Sequence, residues 1–330
     1  MAAPSRPVSI SLPADVTLSP NRVLPPDAAT LLPGLLAIPG VPPPADFEAF
    51  WQDTRTAALR IAPEPRRHPT RATVAGYDVD EISWTSWDGA RLRGWLAVPR
   101  DQPITRGIVI SHGYGGRDQP DPSPLIPGAA ALFPCARGLS LSASPDHPTD
   151  IPHVLRGIAS RETYIFRGCV GDVWSAVSTL HELVPATRDC TDYAGSSFGG
   201  GIGALAVPWE TRVRRAFLGV PSFGQHPIRL QTPCLGSGEH VRLHAQTHPE
   251  VAEVLRYYDA STAAAFIRQP TLVECALVDG AVPPAGQFAV FTALTGPREL
   301  FVRRASHCVY PEVEHDDACL RDAIRTFLRT

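Results

Sequence analysis

Hydrophobic and polar positions change their period several times along the chain, and each change marks an element. Behind Asp46, placed as an N-cap, the segment DFEAFWQDTRTAALR carries apolar residues at helical spacing and predicts a short helix burying Phe47, Phe50, Trp51 and Leu59. From Tyr77 the pattern becomes strict alternation. YDVDEISWTS and RLRGWLAVP flank Trp87-Asp88-Gly89, and Asp-Gly between two alternating runs predicts a hairpin. Residues 107–110 form a short, continuously apolar run beside a glycine, as a strand buried on both faces would. A long helix is predicted across 162–184, where Val173, Val177, Leu180 and Val184 share one face.

The second half alternates in type. The pattern predicts a strand end at 188–194, a helix at 199–207 and a strand at 213–220. Residues 222–268 read as irregular with helical pieces. A strand at 271–278, a helix at 285–294, a strand at 299–304 and a closing helix at 312–328 follow, the last with Val313, Leu320, Ile324 and Phe327 on one stripe. A hairpin followed by strand–helix repeats implies an α/β fold with a mostly parallel sheet covered on both faces. Such sheets place their sites at the carboxyl ends of the strands. Residues 1–45 are punctuated by proline and show no sustained period, so they are expected as an arm, extended on the domain or partly disordered. Residues 46–330 are expected as one domain, with 222–268 inserted above the sheet.

Composition narrows the chemistry. Of the 330 residues, 30 are basic against 33 acidic, a net charge of -3, which leaves no excess to neutralise nucleic-acid phosphates or to hold a membrane surface. No apolar run is long enough to span a bilayer. Every basic residue is arginine. The absence of lysine removes Schiff-base chemistry, the P-loop lysine and every Ser-Lys pair. Asn21 is the one asparagine, so a Cys-His-Asn arrangement would depend on the irregular N-terminus. Seven dispersed cysteines with no CxxC pair suggest reduced thiols, and the N-terminal segment lacks the apolar stretch of a secretory signal. The expected compartment is the cytoplasm.

The strongest motif is Gly195-Ser196-Ser197-Phe198-Gly199, which fits G-x-S-x-G between a predicted strand and a glycine-rich helix. A sharp strand-to-helix turn there would expose the Ser197 hydroxyl beside the free N–H groups of the new helix. Serine needs a base, and the chain order Ser…Asp…His points to Asp279, at the end of TLVECALVD, and His307, just after ELFVRRAS. Both fall at strand ends on the face where Ser197 should emerge. His315 falls inside a helix, Glu274 in mid-strand, and Asp259 before the wrong element. Ser-His-Gly-Tyr-Gly-Gly, residues 111–116, follows another strand and offers the second oxyanion donor, making the backbone N–H groups of Tyr114 and Phe198 the candidate pair. His240, His244 and His248 lie four apart, but no thiolate or carboxylate at fixed spacing completes a ligand set. A solvated helix above the sheet accounts for them better than a metal does. The chemistry calls for no cofactor.

These segments resemble carbohydrate esterase family seven, the acetyl xylan esterases and cephalosporin C deacetylases of the α/β-hydrolase fold. The resemblance runs from about Asp46 to the C-terminus through DFEAFW, SWDGARLRGWLAVP, HGYGG, Arg137-Gly138, RETYIFRGCVGDVWSAV, GSSFGGG, RVRRAFLGVPSF and DGAVPPAGQFAVF. It implies Ser197 as nucleophile, His307 as base, Asp279 as orienting acid, and Tyr114 and Phe198 as oxyanion donors. Tyr114, Phe198, Pro221 and Phe223 are the substrate-contact candidates. The reaction implied is hydrolysis of small acyl esters, acetyl above all, of a sugar or small metabolite, by an intracellular homo-oligomer. The chain departs from the family pattern at Leu139, where glutamine is usual, at Phe198, also usually glutamine, and at Cys308, usually glutamate. Acyl transfer to an alcohol, cleavage of another ester in secondary metabolism, and a silent ligand-binding protein on the same scaffold are the alternative readings.

Overall fold

The computed structural model describes residues 16–19, 24–144 and 151–329. Asn21 lies outside the described residues. The chain opens with β1 (Thr17–Leu18), α1 (Ala28–Leu36), α2 (Phe47–Leu59), β2 (Arg66–His68), β3 (Tyr77–Thr85) and β4 (Arg91–Pro99). It continues through β5 (Arg106–Ser111), β6 (Ala129–Pro134), α3 (Ile165–Leu183), β7 (Thr191–Ser196), α4 (Phe198–Ala206) and β8 (Val213–Gly219). Four short helices follow: α5 (His226–Arg229), α6 (Ser237–Thr247), α7 (Val251–Leu255) and α8 (Ala260–Ala264). The last elements are β9 (Thr271–Asp279), α9 (Pro284–Ala293), β10 (Arg298–Ser306) and α10 (Val313–Arg329).

Ten strands form one sheet in the order β1-β10-β9-β8-β7-β5-β6-β4-β3-β2. From β1 to β6 in that order neighbours are parallel, and β4, β3 and β2 add an antiparallel margin. This is the expected α/β architecture, and it matches the α/β-hydrolase pattern. β3 and β4 pair from Tyr77↔Pro99 to Thr85↔Arg91, and the tight connection holds Asp88 and Gly89 both at positive φ, 57° and 80°. That backbone is what the Asp-Gly signal demands.

The sheet divides the core into two. On one side α2, α3, α4, α8 and α9 bury Trp51, Trp174, Val177, Leu205 and Phe288. On the other, α10 closes a smaller core with Ile324, Phe327 and Leu328. On α10, Val313 and Leu320 are only half-buried. Three further expectations change. α2 buries Phe47, Phe50 and Trp51, but Leu59 is 40% exposed, because the helix ends there and Ala58 takes the inward position. Asp46 does not cap α2; its carboxylate accepts from Arg161 at 2.7 Å and from the Tyr257 hydroxyl. Ala28–Leu36 is helical despite Pro33, with Ala28 and Leu32 buried where α1 packs on α9. Of the segment 222–268, α8 is enclosed between α4 and α9 within the helical layer.

The seven cysteines form no disulfide with one another. Among the described residues no helix is long and apolar enough to cross a membrane.

Candidate active site

β7 and α4 meet at Ser197 with no intervening loop. Its backbone is at φ 54°, ψ −113°, a region that L residues avoid. The strain is held from both sides: the Ser197 N–H donates to the Gly219 carbonyl at 2.8 Å, and the Ser197 carbonyl accepts from Gly201 and Ser222 at 3.0 and 3.1 Å. Two glycines make the turn sterically feasible. A Cβ on Gly195 would lie 2.6 Å from the Gly199 carbonyl carbon, and one on Gly199 would lie 2.9 Å from the His112 carbonyl oxygen. Val220, Phe223, Gln225 and His307 also have positive φ, so strained backbone gathers around this one point.

His307 follows β10 directly and Asp279 ends β9; in the parallel register Ser306 pairs with Asp279. The His307 Nδ1–H donates to Asp279 Oδ2 at 2.8 Å, and Nε2 accepts from the Ser197 hydroxyl at 3.1 Å. The other carboxylate oxygen of Asp279 accepts the N–H groups of Ala281 and Val282, both at 2.9 Å, and Gln287 Nε2 donates to Oδ2 at 3.0 Å. The bond to Asp279 raises the proton affinity of His307 above the usual imidazole value, against an opposing effect of burial. Gln287 was not singled out in the sequence. Its place in the first turn of α9, eight residues after Asp279, is the signal that could have found it.

The weaker carboxylate and histidine candidates are engaged elsewhere. Glu274 is buried and pairs with Arg303 at 2.8 Å. Asp259 is buried and accepts from backbone N–H groups of Gln225, His226 and Ser261. His315 is exposed on α10 next to Cys319. His240 and His244 lie on α6 and His248 just past it, with the His244 and His248 rings stacked at 4.2 Å.

Residues 111–116 run beside the turn. The Gly199 N–H donates to the His112 carbonyl at 3.0 Å, and a Cβ on Gly113 would sit 4.0 Å from the Ser197 Cβ. Among the described residues, neither the Tyr114 nor the Phe198 backbone N–H has a backbone partner. The Tyr114 hydroxyl donates to His153 Nδ1 at 3.1 Å, and His153 Nε2–H donates to the Arg137 carbonyl at 2.9 Å. No sequence signal marks His153. Arg137 is buried and saturated by Asp172 at 2.7 Å and Asp88 at 2.9 Å.

Of the four substrate-contact candidates, Tyr114 is half-buried, while Pro221, Phe198 and Phe223 are buried. The Phe198 ring lies in an aromatic shell, 5.3 Å from Tyr114, 5.8 Å from Phe166 and 6.0 Å from Phe223, and stacked over His112 at 6.1 Å. Of the other departures from the family pattern, Leu139 is half-buried and Cys308 exposed. An open cleft of about 370 Å³ reaches His112, Ser196 and Arg321 on the α10 side, but Ser197 does not line it.

A family model described as acetyl xylan esterase matches residues 39–327. The solved acetyl xylan esterase from Paenibacillus sp. R4 superposes with a TM-score of 0.76 at 20% identity, covering 88% of this chain and 98% of that one. Acetyl xylan esterase 1 from Thermoanaerobacterium sp. JW/SL YS485 gives 0.74 at 18% identity, with the same coverage of 88% and 98%. An acylaminoacyl peptidase from Pyrococcus horikoshii gives 0.59 at 14% identity, over 78% of this chain and 41% of its own. At these identities the structural likenesses speak for the fold.

Proposed function

The chain belongs to the acetyl xylan esterase family and is a carboxylic ester hydrolase, and from that premise we propose that Ser197, His307 and Asp279 hydrolyse small acetyl esters of sugar-like alcohols through an acyl-enzyme. The observation that carries this reading is the unbroken chain from Asp279 Oδ2 through His307 to the Ser197 hydroxyl, at 2.8 and 3.1 Å. His307 Nε2 takes the hydroxyl proton as Oγ attacks the acyl carbonyl. Asp279 holds the imidazole in the required tautomer and stabilises the imidazolium that forms. The backbone N–H groups of Tyr114 and Phe198 receive the charge developing on the carbonyl oxygen, each donor lowering the barrier by about 3 kcal/mol. The alcohol departs with the proton from His307. Water, activated by the same imidazole, then releases acetate and restores Ser197.

The aromatic shell around Phe198 supports a short acyl group, because it fills the volume beside the serine with rings. From the resemblance the proposal takes cephalosporin C as an acetyl ester of the same class, and a cytoplasmic homo-oligomer as the working form. Ser197→Ala removes the nucleophile without touching the backbone bonds that hold the turn. Its release of 4-nitrophenol from 4-nitrophenyl acetate should fall by about 10⁴-fold or more, with an unchanged melting temperature. Undiminished turnover in that variant would overturn the assignment.

A further inference from the structure

Among the described residues, two buried polar side chains near the serine have no hydrogen-bond partner. Arg229, at the end of α5, is 5% exposed, and its guanidinium lies over the Phe223 ring, 5.6 Å from the centroid. Among the described residues it forms no ion pair, and its guanidinium donates no hydrogen bond. The carboxylates within electrostatic reach are Asp259 and Asp279, and both are already engaged by the donors described above. The second is Tyr164, buried between Phe166 at 4.6 Å and Tyr258 at 4.8 Å. Its hydroxyl has no partner among the described residues, whereas the Tyr114 and Tyr258 hydroxyls donate to His153 and to the Arg161 carbonyl. Arg229 and Tyr164 are linked through two touching rings: Phe166, stacked on Tyr164, lies 4.5 Å from Phe223, the ring beneath the guanidinium.

The two groups lie one ring away from the residue that follows the reacting serine. Phe223, beneath the guanidinium, contacts Phe198, the residue after Ser197. Leu235, in the loop following α5, donates its N–H to the Gly280 carbonyl at 2.7 Å, one residue past Asp279. A Cβ at Gly238 would collide with the Arg229 guanidinium, so glycine there leaves room for the arginine. Burying a guanidinium without a counter-charge is destabilising, and Arg137 shows how the same fold neutralises one where it has only to hold structure. A cation and a hydroxyl without partners among the described residues, set around Phe166, Phe223 and Tyr258 next to the residue after the nucleophile, match the few polar groups that an otherwise apolar ligand pocket uses.

The proposed acetyl group is uncharged, so a counter-charge would have to come from the other half of the ester. We propose that Arg229 and Tyr164 form a subsite for a carboxylate carried by the alcohol portion of the substrate, such as an acetylated hydroxy acid or sugar acid. The fork of the guanidinium suits a carboxylate, and the phenol adds one hydrogen bond. This proposal rests on the esterase reading above, and its test separates the two.

Acetate release is measured for 3-acetoxybenzoate and for neutral phenyl acetate with the wild type, Arg229→Met and Arg229→Lys. Methionine keeps the stack on Phe223 and removes the charge. For Arg229→Met, kcat/KM on 3-acetoxybenzoate should fall about tenfold or more, mainly through KM, and stay within about twofold on phenyl acetate. Arg229→Lys should recover part of the loss. Benzoate alone should raise the melting temperature of the wild type and not of Arg229→Met. Equal losses on both esters, or no benzoate shift in the wild type, would overturn the subsite while leaving the esterase reading intact. A wild type that releases acetate from neither ester would refute the esterase reading and the subsite with it.

Discussion

Two histidines flank the turn at Ser197, and their surroundings give them opposite proton affinities. His112 is buried; its Nδ1–H donates to the Gly113 carbonyl at 2.6 Å, and its Nε2 accepts the Ala136 N–H at 3.0 Å. Both ring nitrogens are committed to neutral backbone groups, and burial pushes its pKa down to about 4. His307 is half-exposed at its side chain and donates to a carboxylate, which pushes its pKa up. The same side chain thus becomes a fixed neutral strut on one side of the serine and a poised base on the other. The difference lies in burial without a counter-charge at His112 and in the carboxylate that faces Nδ1 of His307.

Replacing each histidine by alanine should break this contrast most sharply. His307→Ala is expected to lower kcat on 4-nitrophenyl acetate by about 10⁴-fold or more with little change in melting temperature. A smaller activity loss than that of His112→Ala would reverse the assignment. His112→Ala should act chiefly on stability. It leaves a cavity against Phe198 and the Ala136 N–H without an acceptor, a loss of about 2–4 kcal/mol in urea unfolding. Activity in the folded fraction should drop far less than in His307→Ala.

The smallest effect is the pH dependence, and the two residues should contribute with opposite sign. His112, and likewise His181, also held near 4 by burial, bind protons less tightly folded than unfolded. Their contribution to stability is complete above the unfolded value of about 6.5 and is lost as pH falls towards 4. His307, raised, contributes stability fully below about 6.5, and that contribution disappears as pH rises through its folded pKa. Because the base must be neutral to act, the acid limb of kcat/KM should have its midpoint above about 6.5. Urea titrations and rate profiles between pH 4 and 9 would check both. A rate midpoint below the ordinary histidine value would count against the Asp279 bond.

Much of the site could be read from order and spacing because each catalytic candidate ends a strand. Parallel strands bring their carboxyl ends to one edge of the sheet, so the ends of β7, β9 and β10 approach one another there. β6 carries no strand signal of its own. Its sequence AAALFP is rich in alanine, a strong helix former, and only its position between β5 and β4, buried on both faces, makes it a strand. α1 is likewise hidden in the sequence, since Pro33 argues against a helix that packing on α9 nevertheless supports.

By itself the amino-acid order determined the strand–helix alternation, the strained serine turn and the identities of the candidate nucleophile, base and acid. Those depend on local periodicity and on backbone rules that act over a few residues. Tertiary packing alone decided which polar groups would be matched and which left over. Arg137 meets two carboxylates, and Arg229 meets none among the described residues. Whether a buried charge finds its counter-charge depends on residues tens of positions away, and no local pattern encodes that meeting.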